Sequence, residues 1–320
     1  MRRSVSRFPF LFALVLACAG LLAACGPGPE EGPEPKAPKP LAATKPAQAV
    51  RQLTAHLRAN DFEAFTREAV PPELHVRLQA AWREGRTRWP LDELPFGRKL
   101  PAMLGALARP GSEARLQAIF DRQFAGAERE LHNTAASLGL FGAQYIAHDP
   151  TYSEDEKQHY TQLVAAASAW GTRAPLADRQ RAKQSIGQLA GAARRTGLAS
   201  EADFAKAGMA ASLRKMGGFS AAVKRVLARY GLDVDAGLGT LDATLQQQTG
   251  DQARVRMRYR FAGQDIDTVV SLRRIDGRWY LEDYLRHAED ALGAPAEGAD
   301  AAGGAAPPVP AAVPAGAARR

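Results

Sequence analysis

Four arginines stand at alternate positions, Arg254, Arg256, Arg258 and Arg260. Successive strand side chains point to opposite sides, so an extended chain places all four on one face. Four guanidiniums on one face suit an anion such as phosphate, a lipid head group or peptidoglycan. The simpler reading is a solvated sheet face with acids across from it. A two-residue turn at Ala262-Gly263 sets Arg260 opposite Asp265 and Arg258 opposite Asp267. Such cross-strand pairs stabilise a ladder modestly. Arg254 and Arg256 then remain unpaired and are the better candidates for binding an anion.

Two other constellations contain groups able to move protons or hold metals. His148, Asp149, Glu154, Asp155, Glu156 and His159 lie close in sequence. As a calcium loop the segment fails, because it starts Asp149-Pro150 and lacks the central glycine and closing glutamate. As a zinc site it has neither a His-x-x-x-His pair nor thiolates. Ser153-x-x-Glu156 is a helix capping box and accounts for Glu156 without a metal. Near the end of the last expected strand stand Tyr280, Asp283, Tyr284 and His287. A buried Asp beside a Tyr donor would serve proton transfer, but no local pattern buries Asp283. Arg194-Arg195 before Gly197 and Arg214-Lys215 before Gly217 read as cations in a last helical turn before a glycine stop. No nucleophile elbow, phosphate-binding glycine loop or His-Glu-x-x-His occurs. The expectation is a non-enzyme, with no metal, cofactor or catalytic residue assigned.

Most of the body that must position these groups reads as helix. Val50, Leu53 and Leu57 have helical spacing, Phe62 and Phe65 open a second helix after Asn60-Asp61, and Pro71-Pro72 starts a third. Ser112 opens a long pattern through Leu131, the capping box precedes Tyr160 to Trp170, and Ser200 precedes Phe204 and Leu213. Phe219, Val223, Val226, Leu227 and Tyr230 form the clearest stripe. The period then changes to two. Val255, Met257, Tyr259 and Phe261 alternate with the arginines, and Val270, Leu272, Trp279 and Leu281 continue the alternation. Ala262-Gly263 and Asp276-Gly277 mark turns, and a weaker strand precedes them around 243–248. The fold expected is α+β, a mainly helical body with a C-terminal antiparallel β-meander of three or four strands.

Both ends differ from this body. Arg2, Arg3 and Arg7 precede an apolar run from Phe8 to Leu22, and then come Leu22-Ala23-Ala24-Cys25. Basic residues, a short apolar run and small residues at its end make a signal peptide of residues 1–24. The closing tetrapeptide resembles the lipobox of bacterial lipoproteins. That resemblance implies cleavage before Cys25, a diacylglycerol on its Sγ and acylation of the new amine. Gly26 in place of Asp implies the outer membrane, with the folded part facing the periplasm. Residues 25–46 are a Pro-rich tether, extended at about 3.1 Å per residue. Residues 291–320, nearly all Ala, Pro and Gly, read as a disordered tail. The chain carries +8, and losing the three signal arginines leaves +5, too little to argue for nucleic acid. Cys18 is the other cysteine and leaves with the signal, so thiol chemistry is excluded.

An opening helix with an Asn-Asp-Phe turn, and a closing meander ending Asp276-Gly277-Arg278-Trp279-Tyr280-Leu281, resemble the nuclear-transport-factor-two-like (SnoaL-like) cone fold. The resemblance covers about 47–85 and 240–287. The domain is then 47–290, with a helical insertion at about 86–238 and the meander at about 240–285. The family implies a sheet wrapped around an apolar mouth, where Met257, Tyr259 and Trp279 are the ligand-binding candidates, with Arg254 and Arg256 for anions. The function expected is a lipid-anchored periplasmic binding or scaffold module whose partner is an envelope protein or an apolar ligand. The alternatives are a carrier of a lipid or other apolar ligand in the cone, which an anchor hinders from shuttling, and a cone-fold isomerase or hydrolase.

Overall fold

The computed structural model describes residues 43–94 and 96–293. The signal peptide, Cys25, nearly all of the tether and residues 294–320 of the tail lie outside the described residues.

Three helices open the fold: α1 (Pro46–Arg58), α2 (Phe62–Ala69) and α3 (Pro72–Arg83). Prolines start α1 and α3, where the missing N–H leaves no bond unmade. Asp61 caps α2 by accepting from the Ala64 N–H at 2.8 Å. After two short 3-10 turns, Leu91–Glu93 and Gly97–Lys99, come α4 (Leu100–Ala108), α5 (Ser112–Gln123), α6 (Glu128–His148), α7 (Glu154–Gly171), α8 (Arg179–Thr196), α9 (Glu201–Arg229) and α10 (Val234–Gly239). The meander follows as β1 (Asp242–Thr249), β2 (Gln252–Phe261), β3 (Gln264–Ile275) and β4 (Arg278–Leu281), and α11 (Glu282–Gly293) ends it.

The sheet is antiparallel in the order β1-β2-β3-β4. Ala262-Gly263 and Asp276-Gly277 have positive φ at both residues, the two-residue turn whose twist matches the strands it joins. The register sets Arg260 against Asp265 and Arg258 against Asp267. The inner face buries Val255, Met257, Tyr259, Phe261, Ile266, Val270 and Leu272 against the helices. β4 pairs only with Leu272–Ile275 of β3, which leaves the rest of that edge open. Helix α7 closes it. Gln162 Nε2 donates to the Asp267 carbonyl at 2.8 Å, and the Asp267 N–H donates to Gln162 Oε1 at 2.9 Å. One side-chain amide thus replaces a strand's backbone at an edge that would otherwise invite pairing.

Residues 86–238 are not appended to the sheet. Leu104, Leu163, Leu213 and Met216 share one apolar cluster with Val50, Trp82, Val255 and Trp279. Helix α9 runs through that cluster and kinks at Gly208, where φ is 74° and ψ 169°. The Phe204 carbonyl, four residues earlier, accepts from Trp82 Nε1 at 3.1 Å and Ser212 Oγ at 3.3 Å. Buried carbonyls need such partners where a helical ladder is interrupted.

Four sequence expectations are corrected here. Gly217 does not stop a helix; α9 passes through it, and a Cβ there would lie 2.4 Å from the Asn60 carbonyl oxygen, so the glycine serves close approach. The pattern opened at Ser112 is two helices, broken before Gly126 at φ 79°. The meander, expected to run to about 285, stops at Leu281, and Asp283, Tyr284 and His287 lie on α11. Ala291–Gly293, assigned to the tail, complete that helix.

Candidate functional site

The four arginines of β2 are all paired. Arg254 Nη2 lies 2.9 Å from Asp155 on α7, and Nη1 lies 3.3 Å from Ser271 Oγ. Arg256 holds Asp267 through two bonds, with Nε at 2.7 Å. Arg258 reaches Asp242 on β1 at 2.6 Å, and Arg260 lies 3.4 Å from Asp265. The expectation that Arg254 and Arg256 stand unpaired is therefore corrected. Arg256 takes Asp267 diagonally, which turns Arg258 to β1, and Arg254 finds an acid supplied by a helix. The face is a ladder of exposed ion pairs with little capacity left for an added anion.

Met257, Tyr259 and Trp279 sit in the packed core at 9%, 7% and 2% exposure. An open surface cleft of about 470 Å³ lies elsewhere, lined by Trp170, Arg173, Arg181, Tyr230 and the turn at Gly263. Arg181 already donates to the Arg229 carbonyl at 2.7 Å, and Arg173 Nε to the Ala169 carbonyl at 3.0 Å. Its guanidiniums are thus tied to backbone.

The densest polar site gathers where α7 starts, beside α11 and the first 3-10 turn. Ser153 and Glu156 form the expected capping box, with the Ser153 N–H donating to Glu156 Oε2 at 2.9 Å. The same carboxylate does more. His287 Nε2 lies 3.1 Å from Glu156 Oε1, and Arg286 bonds Glu156 Oε2. His287 Nδ1 lies 3.3 Å from Glu93 Oε1, a charge contact without hydrogen-bond alignment. Arg286 also reaches Asp283 at 3.1 Å and the Thr151 carbonyl at 2.7 Å.

The charges follow from these contacts. Burial opposes the His287 imidazolium, yet the Glu156 and Glu93 carboxylates outweigh it and push its pKa up to about 10. Burial alone would raise Glu156, but bonds from His287 and the Ser153 N–H, with the charges of His287 and Arg286, hold it below the usual carboxylate range. Asp283 goes the other way, raised by burial and by the nearby Glu156 charge. A turn further along α7, Tyr259 Oη meets His159 Nε2 at 2.7 Å, and burial pushes the His159 pKa down to about 4. The neutral imidazole accepts from the tyrosine hydroxyl. Tyr284 stacks edge-on against Phe65 at 5.5 Å.

Of the residues singled out by sequence, this seam unites Glu156, Asp283, Tyr284 and His287, and His159 lies beside it. Asp155 is drawn to Arg254, Glu154 to Lys157 at 2.7 Å, and Asp149 to Thr151, so these neighbours in sequence have separate partners. No group of three or more metal-ligating side chains occurs among the described residues. Glu93 and Arg286 escaped sequence reasoning, because each gains meaning only from partners far along the chain. Lys224 escaped it too. Its Nζ is buried, 2.9 Å from Asp235 and 3.3 Å from the Leu57 carbonyl, and burial pushes its pKa down to about 7 against the pull of Asp235. It joins α9 to α10 and to the end of α1.

One apolar surface is left uncovered among the described residues. Helix α6 packs extensively on α7, where Gly139 and Gly142 admit Ser168 and Val164; a Cβ on Gly139 would lie 2.2 Å from Ser168 Oγ. On its other side Leu140, Phe141 and Tyr145 are 62%, 59% and 66% exposed. No charged residue occurs from Asn133 to Ala147. No helix among the described residues is long and apolar enough to cross a membrane. No family model matches the chain, and no curated protein or solved structure is significantly similar to it.

Proposed function

We propose that the chain is a lipid-anchored, non-catalytic binding or scaffold module of the bacterial cell envelope, held at Cys25 on the outer membrane and facing the periplasm. The observation that carries the reading is the outer side of α6: three large apolar side chains in a charge-free stretch, uncovered while the arginines and the seam are satisfied internally. Single exposed apolar residues are ordinary, but a contiguous group on one helix is a contact surface. Depletion of charge with enrichment in aromatics is the mark of an interface centre. The cone-fold resemblance fits as a description of the opening helices and the meander, with 86–238 as a helical elaboration built into the same core.

The carrier and enzyme readings draw less support. Met257, Tyr259 and Trp279 are packed rather than lining a space. The seam's acids, imidazolium and guanidinium are bonded to one another, and the cleft lies apart from them. Two experiments test the proposal. Cys25→Ala protein should leave the membrane fraction; retention there in full would overturn the anchor. Native mass spectrometry of the chain released from the membrane should give the protein mass without a ligand. A co-purified lipid-sized mass lost on denaturation would overturn the module reading in favour of the carrier.

A further inference from the structure

We propose that the surface cleft between the ends of α7 and α9 and the turn joining β2 to β3 binds a compact organic carboxylate, one acid group on an apolar or aromatic body. The proposal goes beyond the module reading. No residue of α6 lines the cleft, so the site stands whether or not that helix is covered.

Distant stretches of sequence meet here. Trp170 and Arg173 come from the end of α7 and the loop after it, Arg181 from the first turn of α8, Tyr230 from the end of α9 and Ala262 from the strand turn. The volume of about 470 Å³ is that of a small-molecule site. Helix C-termini carry partial negative charge and by themselves disfavour an anion. That charge is answered within the protein. The Ala169 carbonyl accepts from Arg173 Nε at 3.0 Å, and the Trp170 carbonyl from the N–H groups of Arg173 and Ala174. The Arg229 carbonyl accepts from Arg181 Nη1 at 2.7 Å, and the Tyr230 carbonyl from Trp170 Nε1 at 2.9 Å.

These bonds hold each guanidinium by one nitrogen and leave the rest of its fork open. Among the described residues, neither Nη of Arg173 has a hydrogen-bond partner, nor does Arg181 Nη2. A planar fork with two open nitrogens matches the two oxygens of a carboxylate. The surrounding charge favours a monoanion. Asp178 lies 3.4 Å from Arg181 Nε, Asp265 lies 3.4 Å from Arg260, and Arg229 is turned to Ser185 and Gln188. Among the described residues Arg173 alone of these has neither an acid nor another side chain beside it. The floor selects the body of the ligand. Trp170, Ala174 and Tyr230 are largely buried and, with Pro175, offer apolar surface inside the cleft. A ligand with a carbon body gains by covering that surface, and hydrated phosphate does not.

The test is calorimetric titration of the full chain, solubilised from the membrane, with 3-phenylpropionate. The acid should bind saturably with a Kd on the order of 0.1 mM. Its neutral counterpart, 3-phenylpropanamide, should bind about tenfold more weakly, and Arg173→Gln and Arg181→Gln should each weaken the acid by a similar factor. Arg173 is exposed and bonds only a carbonyl one turn back, so circular dichroism of its variant should be unchanged. Arg256→Gln on β2 should leave the affinity as it was, which separates the cleft from general positive charge. N-acetyl-glycyl-phenylalanine distinguishes the sources of the acid. If it binds more tightly than 3-phenylpropionate, the site takes the C-terminal carboxylate of a peptide; if more weakly, a free small acid. Either result supports the carboxylate site. Equal binding of acid and amide, an affinity unchanged in both cleft variants, inorganic phosphate bound as tightly as the acid, or no binding of any probe would overturn it.

Discussion

The outer face of β2 and the outer face of α6 are both open to solvent, and they are built in opposite ways. The strand presents four arginines, each held by an acid from β1, β3 or α7. The helix presents Leu140, Phe141 and Tyr145 in a stretch without charge. Exposed ion pairs contribute little stability each, so the arginine ladder is chiefly a way of keeping a sheet face soluble. The α6 face does nothing for solubility and needs a cover. Conspicuous charge thus marks the finished surface, and its absence marks the unfinished one.

The seam between α7 and α11 gives the comparison a third point, since its ion pairs converge on one buried carboxylate, that of Glu156. Glu156→Gln should cost most, about 3 kcal/mol in chemical denaturation, because it leaves Arg286 and His287 facing a neutral amide inside the protein. A loss under 1 kcal/mol would show that the seam behaves like the exposed ladder. The same cluster sets a pH dependence. The His287 pKa rises from the ordinary 6.5 to about 10 on folding, so the folded state keeps a proton that the unfolded chain releases in that window. Its contribution is complete below 6.5 and is lost as pH climbs to about 10. Lys224, with its pKa pushed down to about 7, works with the opposite sign, gaining stability as pH rises above that value. The difference between the native chain and His287→Gln isolates the histidine. That difference in urea stability should shrink steadily from pH 6 to pH 10, and a flat difference would remove the seam's charge from the account.

Smaller effects compare the inner side of α6 with the outer side of β2. Gly139→Val should cost about 1–3 kcal/mol, since its branched side chain must displace Ser168 and part α6 from α7. Arg256→Ala should cost about 0.5 kcal/mol, because the Arg256–Asp267 pair is 44% exposed on each side and screened by water. Raising the salt concentration should shrink that second loss and leave the first unchanged. Thermal melts of the two variants in low and high salt measure both, and a salt-insensitive Arg256→Ala would contradict the solvated ladder.

How legible these surfaces were depends on how local their causes are. The strands, both Gly-containing turns and the register that sets Arg260 opposite Asp265 and Arg258 opposite Asp267 could be read because alternation and turn residues act over a few positions, although Arg258 takes its charge partner from β1 instead. The capping box at Ser153 and the stop at Gly197 are local in the same sense. Gly217 misled because a glycine looks alike whether it ends a helix or admits a distant carbonyl, here that of Asn60. Arg254 seemed unpaired because Asp155 is 99 residues away, brought in by the helix that closes the β3 edge. Glu156 and His287 each drew notice singly, but Glu93 joins them only after the chain has folded. The α6 face carried a signal that was passed over, a charge-free run whose exposed side is decided by which side α7 takes.

The smallest stability effect is the one that separates the two outer faces most sharply. Phe141→Glu should change the monomer's stability by less than about 0.5 kcal/mol, as expected at an exposed position away from caps and core. Solubility should rise, because a charge now breaks the apolar group. Arg256→Glu on β2 should spare contacts made through α6, yet it sets an acid beside Asp267 and should destabilise the sheet modestly. The two variants therefore trade places between two measurements. Denaturation should rank Arg256→Glu as the more damaging, and crosslinking to a partner in the intact envelope should rank Phe141→Glu as the more damaging. If Phe141→Glu instead unfolded the chain while association persisted, α6 would have its apolar side against its own protein, and the contrast between a finished and an unfinished surface would fall.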